Sequence, residues 1–237
     1  MKKTINSYRD LNESKYLLLI SMLYVVFTTV PSLFLYRLIQ VGHFIFPGGM
    51  FIFPMIYVLG DIIAEIYGYK IARNIIWFSL ICNFTFSFAI LSVVYLPAPQ
   101  GYEIIKDKYL FVFKDILRGN VANIAGVLAG NFLNAFILTK LKILVNGRMF
   151  IVRSLTSSAI GALIMIVLWA TIAFSGKLKH NELIHLAVSD YVVRIIYAIL
   201  FAIPSSYLVK ILKNIDKIDI YDSKTNFNPF KLELKDR

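Results

Sequence analysis

Residues 44–73, FIFPGGMFIFPMIYVLGDIIAEIYGYKIAR, place two carboxylates, Asp61 and Glu65, at the end of an otherwise apolar run. At about 100° per residue, six positions of this stretch fall within an arc of about 80° on a helical wheel. These positions are Met50, Pro54, Tyr57, Asp61, Glu65 and Gly68. A charge near the centre of a bilayer costs about 2.5 to 3.5 kcal/mol on insertion scales, so this face must meet protein, water or a ligand. The stretch therefore predicts a functional site on one face of a membrane helix.

The composition of the whole chain is that of a membrane protein. Of its 237 residues 58% are hydrophobic and 16% are charged, and the mean hydropathy is +0.70. Soluble proteins carry about 25% charged residues. A helix needs about 20 residues to cross about 30 Å of hydrocarbon. Six uncharged runs meet that length or reach it once one or two charges are admitted: residues 17–36, 44–60, 74–102, 119–139, 154–176 and 195–209.

These runs predict an all-α integral membrane protein, a compact bundle of six transmembrane helices. We expect a cytoplasmic N-terminal segment at residues 1–16, the membrane domain at 17–212, with the first span at 17–38, and a cytoplasmic polar tail at 213–237. With both termini inside, 17 of the 25 lysines and arginines lie on the cytoplasmic side and seven lie outside. This distribution follows the positive-inside rule. The net charge of +11 is therefore interpreted as a topology signal and not as a nucleic-acid-binding surface.

Several kinds of chemistry lack their motifs in this sequence. Cys82 is the only cysteine, and the three histidines are scattered, so no cysteine or histidine metal site is predicted. The glycine-rich loop of an ATPase and the Gly-x-Ser-x-Gly elbow of a hydrolase are also missing. We therefore predict no enzyme activity, no cofactor and no nucleic-acid partner. An intramembrane protease or lipid-modifying enzyme that uses Asp61 and Glu65 stays formally open.

The fourth span carries four asparagines within about 80° of one another on a helical wheel. Next to them, Ala122, Gly126 and Gly130 repeat every four residues, a pattern that permits close helix contact. Two interpretations are open. The amides can bond across helices and hold the bundle together, or they can line a ligand cavity. The four residues are Asn120, Asn123, Asn131 and Asn134.

The fifth and sixth spans each begin near an arginine. Arg153 and Ser157 share one side of span five, where the guanidinium can bind a carboxylate, a carbonyl or a lipid phosphate. In span six Asp190 and Arg194 are four residues apart and can form an ion pair within the helix. Alternatively, Arg194 pairs across the bundle with Asp61 or Glu65. The sequence leaves both options open.

Two connections are equally undecided. The segment around Gly48 and Gly49 is either broken backbone at membrane depth or a loop before a short helix. The external segment 97–118 either lies on the membrane surface or dips into the bundle.

The sequence resembles the queuosine-precursor transporter family, also called the vitamin uptake transporter family. The likeness is carried by four stretches that together cover most of residues 44–208. They are GDIIAEIYGYKIAR at 60–73, RGNVANIAGVLAGNFLNAFILTKLK at 118–142, MFIVRSLTSS at 149–158 and YVVRIIYAILFAIPSSY at 191–207.

This resemblance implies a fold related to the substrate-binding components of energy-coupling vitamin transporters. It also implies a bacterial inner-membrane location and import of 7-deazaguanine bases, the precursors of queuosine in tRNA modification. The chain departs from the family pattern at three positions. Asn134 replaces an acid that is usual late in span four, and Met165 and Ile166 replace the usual Asp-Thr of span five. The exact ligand therefore stays open.

We thus expect a transporter for a planar, purine-like solute that works in the bilayer without a dedicated ATPase module. The alternative is a non-transporting membrane protein, either a lipid-binding scaffold or an enzyme. A carboxylate can accept the ring N–H and the exocyclic amine of a guanine-like base together. We assign that role to Glu65 and a supporting or proton-accepting role to Asp61. The expected substrate-binding residues are Tyr57, Asp61, Glu65, Asn123, Asn131, Asn134, Arg153, Ser157 and Arg194.

Overall fold

The protein is a bundle of helices with one small β-hairpin. The computed structural model describes residues 14, 16–42, 44–223 and 225–231. Within them the helices are α1 (Leu17–Leu33), α2 (Met55–Val94), α3 (Glu103–Phe113), α4 (Ile116–Leu144), α5 (Phe150–Phe174) and α6 (His180–Asp216). Strands β1 (Leu38–Val41) and β2 (Phe44–Pro47) pair antiparallel, and a short 3-10 helix follows at Gly48–Phe51.

Among the described residues, four helical stretches are long and apolar enough to cross a membrane. They are Met55–Val94, Glu103–Leu144, Phe150–Phe174 and His180–Asp216, and α1 is a shorter apolar helix of 17 residues. Large apolar side chains cover the outside of the bundle, for example Phe88 on α2, Val167 on α5 and Ile203 on α6. The interior, in contrast, holds many buried polar side chains. A polar interior under an apolar exterior is suited to a lipid environment.

Gly68 interrupts α2 with φ 82° and ψ 171°, a backbone conformation that essentially only glycine adopts. Two contacts with α1 require the chain to reverse there. The Tyr24 ring lies 3.5 Å from where a Cβ on Gly60 would be, and Asn83 donates a 3.0 Å hydrogen bond to the Thr28 carbonyl. Tyr24 and Thr28 are one turn apart, about 6 Å, whereas a straight helix would separate Gly60 from Asn83 by about 34 Å. Therefore α2 folds back on itself at Gly68.

The close contact predicted for the fourth span is present between α4 and α5. A Cβ on Gly130 would lie 2.5 Å from the Met165 Cβ and 2.6 Å from the Gly161 carbonyl oxygen. Similarly, a Cβ on Gly126 would lie 3.0 Å from the Met165 Cγ. These glycines let the two backbones approach closely, which fixes Met165 in the centre of the bundle.

The segment between α1 and α2 corrects two details of the sequence prediction. The first helix ends at Leu33 and not at Leu38, and Leu38 instead begins the β-hairpin, so the fold is not purely helical. Pro31 lies in the last turn of α1, and the Cβ position of Gly49 lies only 2.6 Å from its carbonyl oxygen. The glycine therefore permits the 3-10 turn to pack on the end of α1. This arrangement matches neither a plain loop nor a broken membrane helix.

The external segment contains α3, which has no buried residues. Its apolar side chains, such as Ile104 and Phe111, are exposed, so α3 lies outside the bundle and does not dip into it. An amphipathic helix of this kind fits a membrane surface.

The residues after α6 pack against the bundle. Ile220 donates a backbone hydrogen bond to the Ile66 carbonyl, and the Asp222 carboxylate accepts one from the Tyr69 N–H. Further along, the Trp77 indole donates to the Pro229 carbonyl. The part of the predicted polar tail that the structure describes therefore covers the end of the bundle at which α2 reverses.

The reversal at Gly68 can be tested by a pair of substitutions in the same helix. Gly68→Ala should lower the free energy of unfolding by about 1 to 3 kcal/mol, because alanine avoids this backbone conformation. Gly60→Ala is the matched control, since Gly60 has helical geometry and its Cβ would meet the Tyr24 ring at an ordinary 3.5 Å. Unfolding of the purified proteins in detergent measures both. Equal stability of the two variants would contradict the reversal.

Candidate functional site

Asp61 lies on the first half of α2 inside a shell of small polar side chains. Asn134 on α4 donates a 2.8 Å hydrogen bond to Asp61 Oδ1. On α5, the Ser154 hydroxyl donates to Asp61 Oδ2, and the Ser158 hydroxyl reaches the same oxygen at 3.3 Å. All four side chains are buried. Three helices thus converge on one carboxylate through uncharged groups.

Glu65, one turn further along α2, is bound by two cations. Arg153 on α5 donates to Glu65 Oε2 at 2.8 Å and to Oε1 at 3.2 Å, and Lys213 on α6 donates to Oε1 at 2.7 Å. Both carboxylate oxygens are therefore engaged. Charge-assisted bonds of this kind are the stronger hydrogen bonds of proteins. The choice of Glu65 as base reader stays a prediction, although a ligand must displace one of these cations to reach it.

The ion pairs continue into the segment after α6. Lys142 on α4 donates to the Glu65 carbonyl, to the Ile220 carbonyl at 2.7 Å and to Asp219 Oδ1 at 2.7 Å, and Lys213 lies 2.8 Å from the same Asp219 oxygen. Burial raises the pKa of Asp219, but the two lysines outweigh it and hold that pKa below its ordinary value. Asp219 is therefore ionised at neutral pH. This network joins α2, α4, α5 and α6 to the chain that follows them.

Arg194 on α6 pairs with Asp190, which decides between the two options left open by the sequence. The guanidinium donates to Asp190 Oδ2 at 2.8 and 3.1 Å and lies 4.4 Å above the ring of Phe53. Asp190 Oδ1 is buried and has no hydrogen-bond partner among the described residues. A buried acceptor without a partner costs about 1 to 3 kcal/mol, so a donor that reached this atom would be bound favourably.

Met165 separates two cavities in the bundle. The Tyr57 hydroxyl lies 3.2 Å from the Met165 sulfur, and an Arg194 nitrogen lies 3.5 Å from it. The first cavity, here called the hairpin cavity, encloses about 40 Å³ of open space, and the second, the Asp61 cavity, encloses about 20 Å³. Arg194 lines both. Ligand pockets in proteins have volumes of about 300 to 1,000 Å³, so the side chains that line either cavity must move apart before a base can enter.

The hairpin cavity combines aromatic rings with polar groups. Phe53 and Trp169 supply the rings, and Asn123, Asp190 and Arg194 supply polar side chains. The Asp61 cavity is lined by Tyr57, Asp61, Ser154, Ser158 and Arg194, with apolar residues of α6 on the far side.

The four asparagines of α4 have different partners and do not form one continuous polar surface. Asn120 donates to the Asn83 carbonyl at 2.8 Å and to the Ser87 hydroxyl, so it ties α4 to α2. Asn131 donates to the Tyr24 hydroxyl at 3.0 Å, Asn134 serves Asp61, and Asn123 lines the hairpin cavity. Asn120 therefore bonds across helices, as one interpretation expects, whereas a contact of Asn123 with a ligand stays a prediction.

Several residues of this region were not among those expected from the sequence. Asp190 was predicted only as a counter-ion. Its Oδ1 lacks a partner because both hydrogen bonds from Arg194 go to Oδ2, a detail of geometry that the sequence does not show. Trp169 is separated by 46 positions in sequence from its cavity neighbour Asn123. Lys142 and Lys213 were interpreted as topology signals. Of the expected residues, Ser157 bonds to the Ser154 carbonyl within its own helix, and it does not line either cavity.

Comparison with known proteins identifies one family. The sequence model of that family, described as "Putative vitamin uptake transporter", matches residues 47–209, which is more than half of the chain. No curated protein and no solved structure matches the chain.

The bond between Glu65 and Arg153 can be tested by a double-mutant cycle. Glu65→Gln alone should lower the free energy of unfolding by about 3 to 5 kcal/mol, because Arg153 then remains buried without its charge partner. In the double variant Glu65→Gln, Arg153→Met, much of that loss should be recovered, since both charges are absent. Unfolding in detergent provides the values. Additive losses in the double variant would contradict a direct interaction.

Proposed function

The chain belongs to the vitamin uptake transporter family, and on that premise we propose that it imports a 7-deazaguanine or a similar purine-like base. The multi-pass helical bundle and the family match support membrane transport as the general activity. The narrower substrate rests on the resemblance of its motifs and on the chemistry of the hairpin cavity. The proposed location is a bacterial inner membrane, with both termini in the cytoplasm.

The proposed topology has six crossings. In this proposal, the segments 55–67 and 69–94 on either side of the reversal at Gly68 are the second and third crossings, and α1, α4, α5 and α6 are the others. Lys70 and Arg73, just after the reversal, and Lys142, near the end of α4, then face the cytoplasm, in agreement with the positive-inside rule. The hairpin cavity opens toward the opposite side in this topology. Leu18, Leu19 and Met22 on α1 are exposed and apolar, which favours contact with lipid and a protein that works without an ATPase module.

The observation that carries the proposed substrate is the spare oxygen of Asp190 in a cavity with aromatic walls. A guanine-like base presents N–H donors along one edge and two flat apolar faces. Asp190 Oδ1 can accept one of those donors, and the Asn123 amide in the same cavity can accept or donate another bond. The rings of Phe53 and Trp169 can lie against the faces of the base.

The charge of the cavity fits a neutral ligand. Arg194 and Asp190 neutralise each other through two hydrogen bonds, so the cavity has no net charge from this pair. An anionic substrate would meet the Asp190 carboxylate, whereas a neutral base with donor groups would satisfy it. The proposed transport path leads from the hairpin cavity past Tyr57 and Met165 to the Asp61 cavity, because Arg194 borders both.

Binding to the hairpin cavity can be tested by replacing two residues that line it, Asn123 and Asp190. Asn123→Ala should weaken binding of radiolabelled 7-cyano-7-deazaguanine, a neutral base, by about 1 to 3 kcal/mol, because a buried ligand group would lose its partner. Asp190→Asn should also weaken binding, since an amide is a poorer acceptor than a carboxylate. Scintillation proximity with purified protein measures the affinity.

Asn120→Ala is the control, because Asn120 bonds only to groups of α2 and does not line either cavity. It should lower stability and leave the affinity of the folded fraction unchanged. Normal affinity in Asn123→Ala and Asp190→Asn would overturn the proposed site. Failure of any purine-like base to bind or to exchange across proteoliposomes would instead favour a non-transporting membrane protein.

A further inference from the structure

Asp61 is a buried carboxylate with neutral partners. Its hydrogen bonds come from one amide and two hydroxyls, those of Asn134, Ser154 and Ser158. In the part of the chain that the structure describes, no lysine or arginine forms an ion pair with it. A buried carboxylate without a cation is strongly disfavoured in its ionised form and tends to become neutral instead. Asp61 therefore has a physical reason to bind a proton.

The other acids in the bundle differ from Asp61 in this respect. Glu65 is neutralised by Arg153 and Lys213, and Asp190 is neutralised by Arg194. A proton on Glu65 or Asp190 would have to compete with a cation that is already bound. Among these three acids, Asp61 is the one at which gaining or losing a proton breaks no ion pair.

The groups that face Asp61 are compatible with both its ionised form and its protonated form. Tyr24 of α1 and Tyr57 and Glu65 of α2 are close enough to interact with it electrostatically. On α6, Arg194 lines the same cavity but is held by Asp190, while α5 contributes Ser154 and Ser158, and α4 contributes Asn134. Hydroxyls and amides both donate and accept hydrogen bonds. They can therefore donate to the carboxylate and accept from the carboxylic acid.

We propose that Asp61 takes up and releases one proton in each transport cycle and so couples import of the base to the proton gradient. This inference rests on the proposed function, because coupling requires a transported solute. One O–H bond forms at a carboxylate oxygen when a proton enters through the Asp61 cavity, and the same bond breaks when the proton leaves to water on the other side. The acid form is neutral, so Asp61 and the side chains around it can rearrange in the membrane without moving an unpaired charge.

Transport provides the first test. Proteoliposomes with the wild-type protein should accumulate radiolabelled 7-cyano-7-deazaguanine, which is neutral, when the outside is more acidic. If one proton moves with each base, a gradient of about one pH unit supports about tenfold accumulation. Asp61→Asn should still exchange the labelled base against unlabelled base, but its uptake should no longer respond to the pH gradient. The exposed Asp107 of α3 gives the control Asp107→Asn, which should behave as wild type.

Infrared spectroscopy of the purified protein provides a second test that needs no substrate. Between about pH 5 and about pH 9, exposed carboxylates stay ionised, because their pKa values lie near 4. A carboxylic-acid carbonyl band that titrates in this range should be present in the wild type and in Asp107→Asn, and absent in Asp61→Asn.

The outcomes separate the two proposals. A titrating band that disappears in Asp61→Asn supports the proton site even if no purine-like base is transported, in which case only the proposed substrate fails. Uptake driven by a sodium gradient at equal pH, uptake by Asp61→Asn that still follows the pH gradient, or an unchanged band in Asp61→Asn would overturn the proton-coupling role.

Discussion

The structure depends on the neutralisation of Glu65 inside the bundle. An ionised carboxylate in this position must find cations, and it takes them from two other helices, Arg153 of α5 and Lys213 of α6. Lys142 of α4 then reaches the Glu65 carbonyl and Asp219, so the same cluster includes the chain after α6. Because removing one partner of a buried pair leaves the other charge unsatisfied, these helices can separate only together with a rearrangement of the cluster. This constraint fixes one end of the bundle, while the contacts around Met165 fix its centre.

The three acids at the site occupy three different electrostatic environments. Glu65 is fully engaged by cations, Asp190 shares one oxygen with Arg194 and keeps the other free, and Asp61 has only uncharged partners. In the proposed mechanism, Glu65 holds the helices together, Asp190 accepts a hydrogen bond from the base, and Asp61 binds a proton. The three acids also follow one another through the bundle. Asp190 lies at the hairpin cavity, Asp61 lies at the Asp61 cavity, and Glu65 lies next to the chain after α6. Each task is assigned by the partners of the carboxylate and not by its residue type.

The sequence predicted the membrane location, most of the helices and the family, because apolar runs and motif spacing are local signals. It did not predict the β-hairpin, since Leu38–Val41 looks as apolar as the helix before it and pairs only with residues further along. It also placed Asp61 and Glu65 on one face of a helix but did not predict that Asp61 has neutral partners and Glu65 has cationic ones. That distinction depends on Ser154 and Arg153, which are neighbours in sequence but reach different turns of α2. The spare oxygen of Asp190 could not be predicted either, because a distance of four residues indicates an ion pair but not its geometry.

Two of the three departures from the pattern that the resemblance implies, those at Asn134 and Met165, are consistent with the charge balance of this site. An acid in place of Asn134 would lie within hydrogen-bonding distance of Asp61, and two carboxylates so close could not both be ionised. With asparagine at this position, one proton on Asp61 is enough to make the pair of side chains neutral. An acid in place of Met165 would face Arg194 and compete with Asp190 for its guanidinium, whereas the methionine sulfur is a weak acceptor that leaves the Asp190–Arg194 pair intact. Both replacements remove a negative charge at a point where the remaining groups already balance one another. The cavities of this chain therefore have fewer carboxylates than the pattern implied by the resemblance would give them.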